Sequence, residues 1–358
     1  MSDWRLPELA VGEFAPRFHA PTRSNPAYHF STLAGRYVLL AFIPANPARR
    51  TAALAAFDQV REHFDDDRLT AFLVTPEAAE TSALEDQTPG QRWFFDPQCE
   101  VRTLFGAYDT APSWFLFDPA LRLLATAPQD GFSPLADMIR ALPPPALHAG
   151  VPLVAPVAII PRIFEPAFCR QLIDHYETQG GRLSGVMRDI DGRTVGVMDD
   201  MKRRRDVEIV DPALRQQIAH RLERRLTPMV RRAFQFNATR LERYLIACYD
   251  AEEGGFFKPH RDNETFGTAH RRFAVSINLN AEEHGGGDLR FPEFGPRTYR
   301  PPTGGAVVFC CSLQHEATPV TAGRRYAFLP FLYDEAGQAI RDRNLALLDA
   351  DRAADLGL

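Results

Sequence analysis

The 358-residue sequence predicts two domains of different class. The first is an α/β layer fold around a central sheet. The second is an α+β domain whose strands form an antiparallel sandwich or barrel of the jelly-roll kind. Three observations predict this. A proline-rich joint stands at 142–150, with three consecutive prolines at 143–145 and more at 152, 156 and 161. Before it, short apolar runs alternate with helical stripes. After residue 238, short strands are punctuated by glycines. Consecutive prolines cannot continue a helix and favour extended backbone. The predicted domains are therefore 1–147 and 148–358, in line with roughly 100–200 residues per domain.

Composition excludes several classes. Forty-one basic side chains stand against 46 acidic ones, a net charge of −5, which argues against a general nucleic-acid or membrane binder. Lys202 and Lys258 are the two lysines, so the remaining basic residues are Arg, a compositional bias. Residues 1–147 carry a net of −6 and the rest +1, so neither half implies a polyanion partner. No apolar run reaches the ~18 residues of a membrane span. The first residues lack the basic-then-apolar profile of a signal peptide, and a cytoplasmic location is expected. Five cysteines without a CxxC point to reduced, mostly buried thiols rather than a disulfide framework or zinc knuckle.

In the first domain, residues 37–43 (YVLLAFI) read as a strand buried on both faces. Apolar residues at 54, 57, 60 and 64 predict a helix over 52–64. Residues 69–74 and 114–117 read as further strands, and 133–142 as a closing helix. The phrases VGEFAPRF at 11–18 and FSTLAGR at 30–36, with this alternation, resemble the peroxiredoxin family and its thioredoxin-like fold over most of residues 10–141. That resemblance implies a Pro-x3-Thr-x2-Cys signature. Here Pro44 stands, but Ala48 occupies the Thr position and Thr51 the Cys position. The activating Arg of that family falls near Pro112, which by analogy follows a cis bond. A peroxidase needs a thiolate, and a Thr hydroxyl is no substitute at neutral pH. Cys99 reads as lying in a loop entering a helix, away from that site. The domain is therefore expected to be non-catalytic: a structural element, or a module that binds a partner or the substrate.

The second domain opens with helices over 166–178 and 212–234. The second has an apolar stripe at Leu214, Ile218, Leu222, Leu226 and Val230, and its arginines read as a solvated, salt-bridged face. The run Lys202-Arg203-Arg204-Arg205 either lines an entrance or forms a solvated turn, the turn being preferred. Strands are predicted at 241–249, 256–262, 272–280, 288–291, 306–309 and 326–333.

Within this series His260 and Asp262 lie two apart, hence on one face of a strand. His315 follows just past the 307–309 run. Two histidines and a carboxylate make a facial triad, which leaves three positions of an octahedral iron open. Zinc usually prefers four closed or nearly closed positions. Ten residues after His315 stands Arg325, and a buried guanidinium is a planar fork for a carboxylate.

The phrases Tyr249 with GGFFKPHRDN (254–263), SINLN (276–280) with GGDLRF (286–291), and HEATPVTAGRR (315–325) resemble the iron(II)/2-oxoglutarate dioxygenase superfamily, in its prolyl-4-hydroxylase-like branch, over roughly 155–335. The resemblance implies a double-stranded β-helix (jelly roll). It implies His260, Asp262 and His315 as iron(II) ligands and Arg325 as the anchor of the far carboxylate of 2-oxoglutarate, with Arg324 its competitor. Arg325 is preferred because it shares a face with Ala327 and Leu329. Tyr249 and Asn278 match co-substrate contacts, though each is equally readable as a core polar group. Dioxygen is the second co-substrate and ascorbate an accessory reductant. Asp262, being neither Ala nor Gly, speaks against halogenation. The expected reaction is hydroxylation of a peptidyl, proline-like residue or an amino-acid-like substrate, with a small metabolite as rival. A non-catalytic scaffold is the alternative of a different class. Neither nucleic acid nor membrane is an expected partner, and oligomeric state is not legible.

Overall fold

The computed structural model describes residues 9–79, 82–107 and 112–348. The chain divides into two compact units, Met1–Ala155 with Pro292–Pro296, and Pro156–Phe291 with Arg297–Leu358. Among the described residues no helix is long and apolar enough to cross a membrane.

The first unit is built on a five-stranded sheet in the order Gln91–Phe95, Leu69–Thr75, Tyr37–Phe42, Pro112–Phe117, Leu123–Pro128. The first three strands are mutually parallel and the last two join antiparallel. Every residue of Tyr37–Phe42 is buried. Tyr37, Leu39 and Ala41 enter one core with helices Pro47–Asp58 and Phe132–Ala141, while Val38, Leu40 and Phe42 enter another on the opposite face. That two-sided burial is why the strand reads as an unbroken apolar run.

The expected helix over 52–64 differs at both ends. It begins at Pro47, because Asn46 caps it by accepting from the Arg49 amide at 3.1 Å and proline suits its first turn. It ends at Asp58, and Val60 and Phe64 reach the core from a 3-10 turn instead. Thr51 sits on the exposed side, its hydroxyl donating to Pro47 O at 3.0 Å. Cys99 precedes the helix Glu100–Leu104, as expected. The bond before Pro112 lies outside the described residues; the cis bond described is Thr88-Pro89.

Among the described residues the second unit carries two main sheets and two further two-stranded ones. The larger runs Arg240–Glu242, Phe331–Tyr333, Phe273–Asn278, Arg324–Phe328, Leu245–Asp250, Arg205–Glu208, Arg182–Leu183, and Ala306–Cys310 also pairs with Phe273–Asn278 and with Ala158–Ile160. The smaller runs Lys202–Arg203, Phe256–His260, His315–Ala317, Leu289–Arg290, Thr298–Tyr299. The larger sheet sends Val275, Ile277, Ile246 and Phe328 into a core with the helix Pro166–Gln179 and the stripe Leu214, Ile218, Leu222, Leu226, Val230. By the two-residue period of a strand, Ser276, Asn278, Arg325, Ala247 and Tyr249 face the other way. Ala247 and Tyr249 there join Ala317 and Val320. The inner face is where polar groups collect.

Several expected elements divide. The 241–249 segment breaks at Arg243, whose φ of 71° turns the chain between two strands. The 326–333 segment breaks at Leu329-Pro330, where proline has no amide to give the ladder. The 212–234 helix holds a π turn at Leu222–Leu226, just before Pro228, which cannot complete an α-type bond. A hairpin pairing Val186–Ile190 with Arg193–Val197 was not expected, although Asp191-Gly192 at its turn is a strong hairpin signal. The five cysteines are free thiols; Cys169, Cys248 and Cys311 are buried, and Cys99 and Cys310 half-buried.

Candidate metal centre

The smaller sheet sets the histidines side by side. His260 ends its strand and His315 begins the neighbouring one, and the two are register partners. Asp262 is not on the strand. It lies in the turn beyond, where its amide donates to Cys311 O at 3.0 Å and its carbonyl accepts from Arg271 Nη1 at 3.4 Å. The shared-face argument for His260 and Asp262 therefore fails in its premise. The turn nonetheless returns the carboxylate between the imidazoles.

The three donor atoms lie within 4.8 Å of one another. Asp262 Oδ1 is 3.7 Å from His260 Nε2, and Oδ2 is 3.4 Å from His315 Nε2. His260 Nδ1 donates to Lys258 O at 2.8 Å and His315 Nδ1 to Leu313 O at 3.1 Å. Those bonds select the tautomer that leaves both Nε2 lone pairs facing the carboxylate. Burial alone would raise the pKa of Asp262, but His315 and His260 together hold it well below the usual range. Burial pushes His315 down to about 4. At neutral pH the cluster is a carboxylate with a neutral imidazole at His315, the protonation a divalent cation requires. The surroundings are apolar: Phe257 stacks on His260 with centroids 3.5 Å apart, and Phe309 lies 4.5 Å from His315.

The larger sheet supplies a cation. Arg325 is 2% exposed on the inner face. Its Nη2 donates to Ser276 Oγ at 2.8 Å and to Asn278 Oδ1 at 3.5 Å, and its guanidinium lies 5.1 Å from the Tyr249 ring centre. Its Nε has no hydrogen-bond partner. Among the described residues no carboxylate pairs with it, and burial depresses its pKa. A buried guanidinium without a counter-ion costs free energy until an anion arrives. Arg324, by contrast, points outward and pairs with Asp250 at 2.8 Å. Glycine at 287 lets the chain pass Arg325: its φ is +72°, and a Cβ there would meet Arg325 Cδ at 2.9 Å.

Tyr249 is buried, and its hydroxyl accepts from Arg204 Nη1 at 3.4 Å. Asn278 donates to Pro301 O at 3.0 Å, so both ends of its amide are engaged within the protein.

The Lys202–Arg205 run is not a solvated turn. Lys202 and Arg204 are buried at 9% and 6% exposure, and Arg203 points out. Separate strands, Lys202–Arg203 and Arg205–Glu208, flank Arg204, and buried Lys202 and Arg204 alternate with exposed Arg203. Lys202 Nζ lies 5.3 Å from the centre of the Phe257 ring that stacks on His260. Ser276 was also missed, although it lies in the same phrase as Asn278. So was the buried cluster in which Glu242 accepts from Arg271 at 2.6 Å and pairs with His270 at 2.7 Å. Through its carbonyl contact, Arg271 ties that cluster to the turn bearing Asp262.

The arrangement can hold a divalent metal by three protein donors and an acid by a separate buried cation. A contact path joins them: His260 to Phe257, Phe257 to Arg204 at 6.0 Å, Arg204 to Tyr249 at 5.8 Å, and Tyr249 to Arg325.

Residues 244–333 match the model of the 2OG-Fe(II) oxygenase superfamily, and residues 11–125 that of the AhpC/TSA family. No curated protein matches the chain. Similar solved structures include the viral collagen prolyl hydroxylase of Paramecium Bursaria Chlorella virus-1 in its 2OG complex (14% identity, TM-score 0.38), covering 49% of this chain and 94% of that one. A Pseudomonas putida prolyl-4-hydroxylase is 17% identical, with a TM-score of 0.38 over 50% of this chain and 93% of that one. A Trichoplax adhaerens prolyl hydroxylase, bound to a hypoxia inducible factor peptide fragment, is 19% identical, with a TM-score of 0.41 over 52% and 87%.

Proposed function

We propose that this enzyme, a 2OG-Fe(II) oxygenase in its C-terminal region joined to a thioredoxin-like AhpC/TSA region, hydroxylates a peptidyl, proline-like residue or an amino-acid-like substrate. His260, Asp262 and His315 hold iron(II), and Arg325 holds the distal carboxylate of 2-oxoglutarate. When bound, iron(II) with the 2-oxo acid and dioxygen supplies oxidative decarboxylation to succinate coupled to insertion of hydroxyl at a C–H bond.

The chain's own residues do the rest. The Nδ1 bonds to Lys258 and Leu313 keep both imidazoles turned toward the metal position. Arg325 fixes the co-substrate's far end, with Ser276 and Asn278 orienting the guanidinium and Tyr249 beside it. Phe257 and Phe309 keep water from the imidazoles. Asn278 acts on Arg325 rather than on the co-substrate. Ascorbate serves as accessory reductant. The N-terminal region is non-catalytic, a Thr51 hydroxyl bound to Pro47 O standing where the reactive thiol would be, and it serves as a structural element or as a module that binds a partner or the substrate.

The observation that carries this reading is the unpaired buried guanidinium of Arg325 in the same fold as a metal-ready His/Asp/His cluster. The test is anaerobic titration of the iron(II) protein with 2-oxoglutarate, following the visible charge-transfer band of the chelated 2-oxo acid. The band is expected in wild type, absent in His260→Ala and weakened in Arg325→Ala. No band in folded, iron-loaded protein would remove the assignment. Succinate release with proline-containing peptides against free amino acids then sorts the substrate class.

A further inference from the structure

Arg204 is one of the buried residues that the site's ligand roles leave unused. Its guanidinium is 6% exposed and is gripped by Asp206 along one edge, Nε to Oδ1 and Nη2 to Oδ2, both at 2.6 Å. A guanidinium held by that edge has one remaining nitrogen, Nη1, aimed in a fixed direction. Nη1 donates to the Tyr249 hydroxyl oxygen at 3.4 Å. Among the described residues this is the hydroxyl's one hydrogen-bond partner. An oxygen that accepts from Arg204 turns its own proton elsewhere. Arg325 Nε is likewise a buried donor with no acceptor, and its guanidinium lies against the same ring. Two unfilled donors, one phenol O–H and one guanidinium N–H, thus belong to neighbouring side chains. Asp206 neutralises Arg204, while Arg325 keeps its charge, so one negative group completes the set.

We propose that Arg204, fixed by Asp206, is a positioning residue that directs the Tyr249 hydroxyl proton onto the distal carboxylate that Arg325 binds. The inference rests on the 2-oxoglutarate reading above. Arg204 itself touches neither metal nor co-substrate. Its effect passes through Tyr249.

The experiment is a double-mutant cycle on binding, not turnover. Dissociation constants are measured anaerobically on the iron(II)-loaded full chain by calorimetry, with 2-oxoglutarate and with pyruvate, which lacks the distal carboxylate. Arg204→Met and Tyr249→Phe are each expected to weaken 2-oxoglutarate binding about tenfold, the scale of one hydrogen bond to a charged group. The double variant should lose no more than either single one, and pyruvate binding should change less than about twofold throughout. Additive losses, near a hundredfold in the double variant, would overturn the proposal. So would wild-type affinity in either single variant, or an equal loss for pyruvate, which would mark a general structural role. Should Arg204→Met fail to fold, Arg204→Met with Asp206→Leu removes both charges together and is read the same way. If wild type binds 2-oxoglutarate no more tightly than pyruvate, the co-substrate reading falls first and this one with it. If wild type discriminates and only the coupling is missing, this proposal alone falls.

Discussion

The two regions bury charge for opposite purposes. In the N-terminal sheet, buried carboxylates serve the backbone: Asp96 accepts from the Val101 and Arg102 amides, and Asp118 from those of Ala120 and Arg122. Both faces of its central strand are otherwise apolar. In the C-terminal sandwich, Lys202, Arg204, Glu242, His270, Arg271, His315 and Arg325 are all buried. Some satisfy one another, and among the described residues Arg325 has no counter-ion. Charge inside a protein is costly unless paired, so an unpaired one marks a place built for something that arrives later. The contrast separates a sheet whose buried carboxylates are satisfied by nearby backbone from one that keeps a buried cation unpaired.

The strongest break of that contrast is removal of a metal donor. His260→Ala or His315→Ala should lower 2-oxoglutarate-dependent succinate release by more than about 100-fold and reduce bound iron, beyond the loss typical of outer partners of a metal site. Thr51→Ala, at the position where the N-terminal region lacks its thiol, should leave release unchanged. Loss there would join the regions functionally and defeat the contrast.

Next comes the cation. Arg325→Ala should raise KM for 2-oxoglutarate by about 30-fold or more, the cost of losing a buried charged partner. Arg324→Ala should move it less than about twofold, because an exposed pair contributes little. Equal effects at both positions would erase the distinction between inner and outer faces.

A smaller effect tests the N-terminal region by pH. Burial alone would raise the pKa of Asp66, but bonds from Arg92 and Thr70 outweigh it and bring it down to about 2. The folded value lies below the unfolded one, so its stabilisation is full above about pH 4 and is lost as pH falls toward 2. The side chain is partly exposed, so the contribution is on the order of 1–2 kcal/mol. Urea melts between pH 5 and 2.5 should show wild type losing that margin while Asp66→Asn, less stable at pH 5, converges with it. Parallel curves would deny Asp66 the role.

The ordered phrases around His260, Asp262 and His315 made the candidate cluster legible, because ligand type and order survive in a linear text. Geometry did not follow as simply. Asp262 reaches the cluster from a turn, held there by Cys311 and Arg271, which no two-residue spacing reveals. Lys202-Arg203-Arg204-Arg205 misled for a physical reason: four cations in a row are normally solvated. What overrides that habit is a carboxylate at 206 and an aromatic at 257, the latter distant in sequence. The strands at 241–249 and 326–333 were found but not their breaks, since a left-handed Arg243 leaves no compositional mark.

Arg325 has one more consequence. A ligand that supplies its missing partner binds the folded chain and not the unfolded one. The protein's resistance to unfolding then depends on how much co-substrate surrounds it. At about 100 times the dissociation constant, the folded state gains about 2.7 kcal/mol. On the reading proposed above, a chain starved of co-substrate opens more often and meets proteases sooner, so abundance of the enzyme follows supply of its co-substrate.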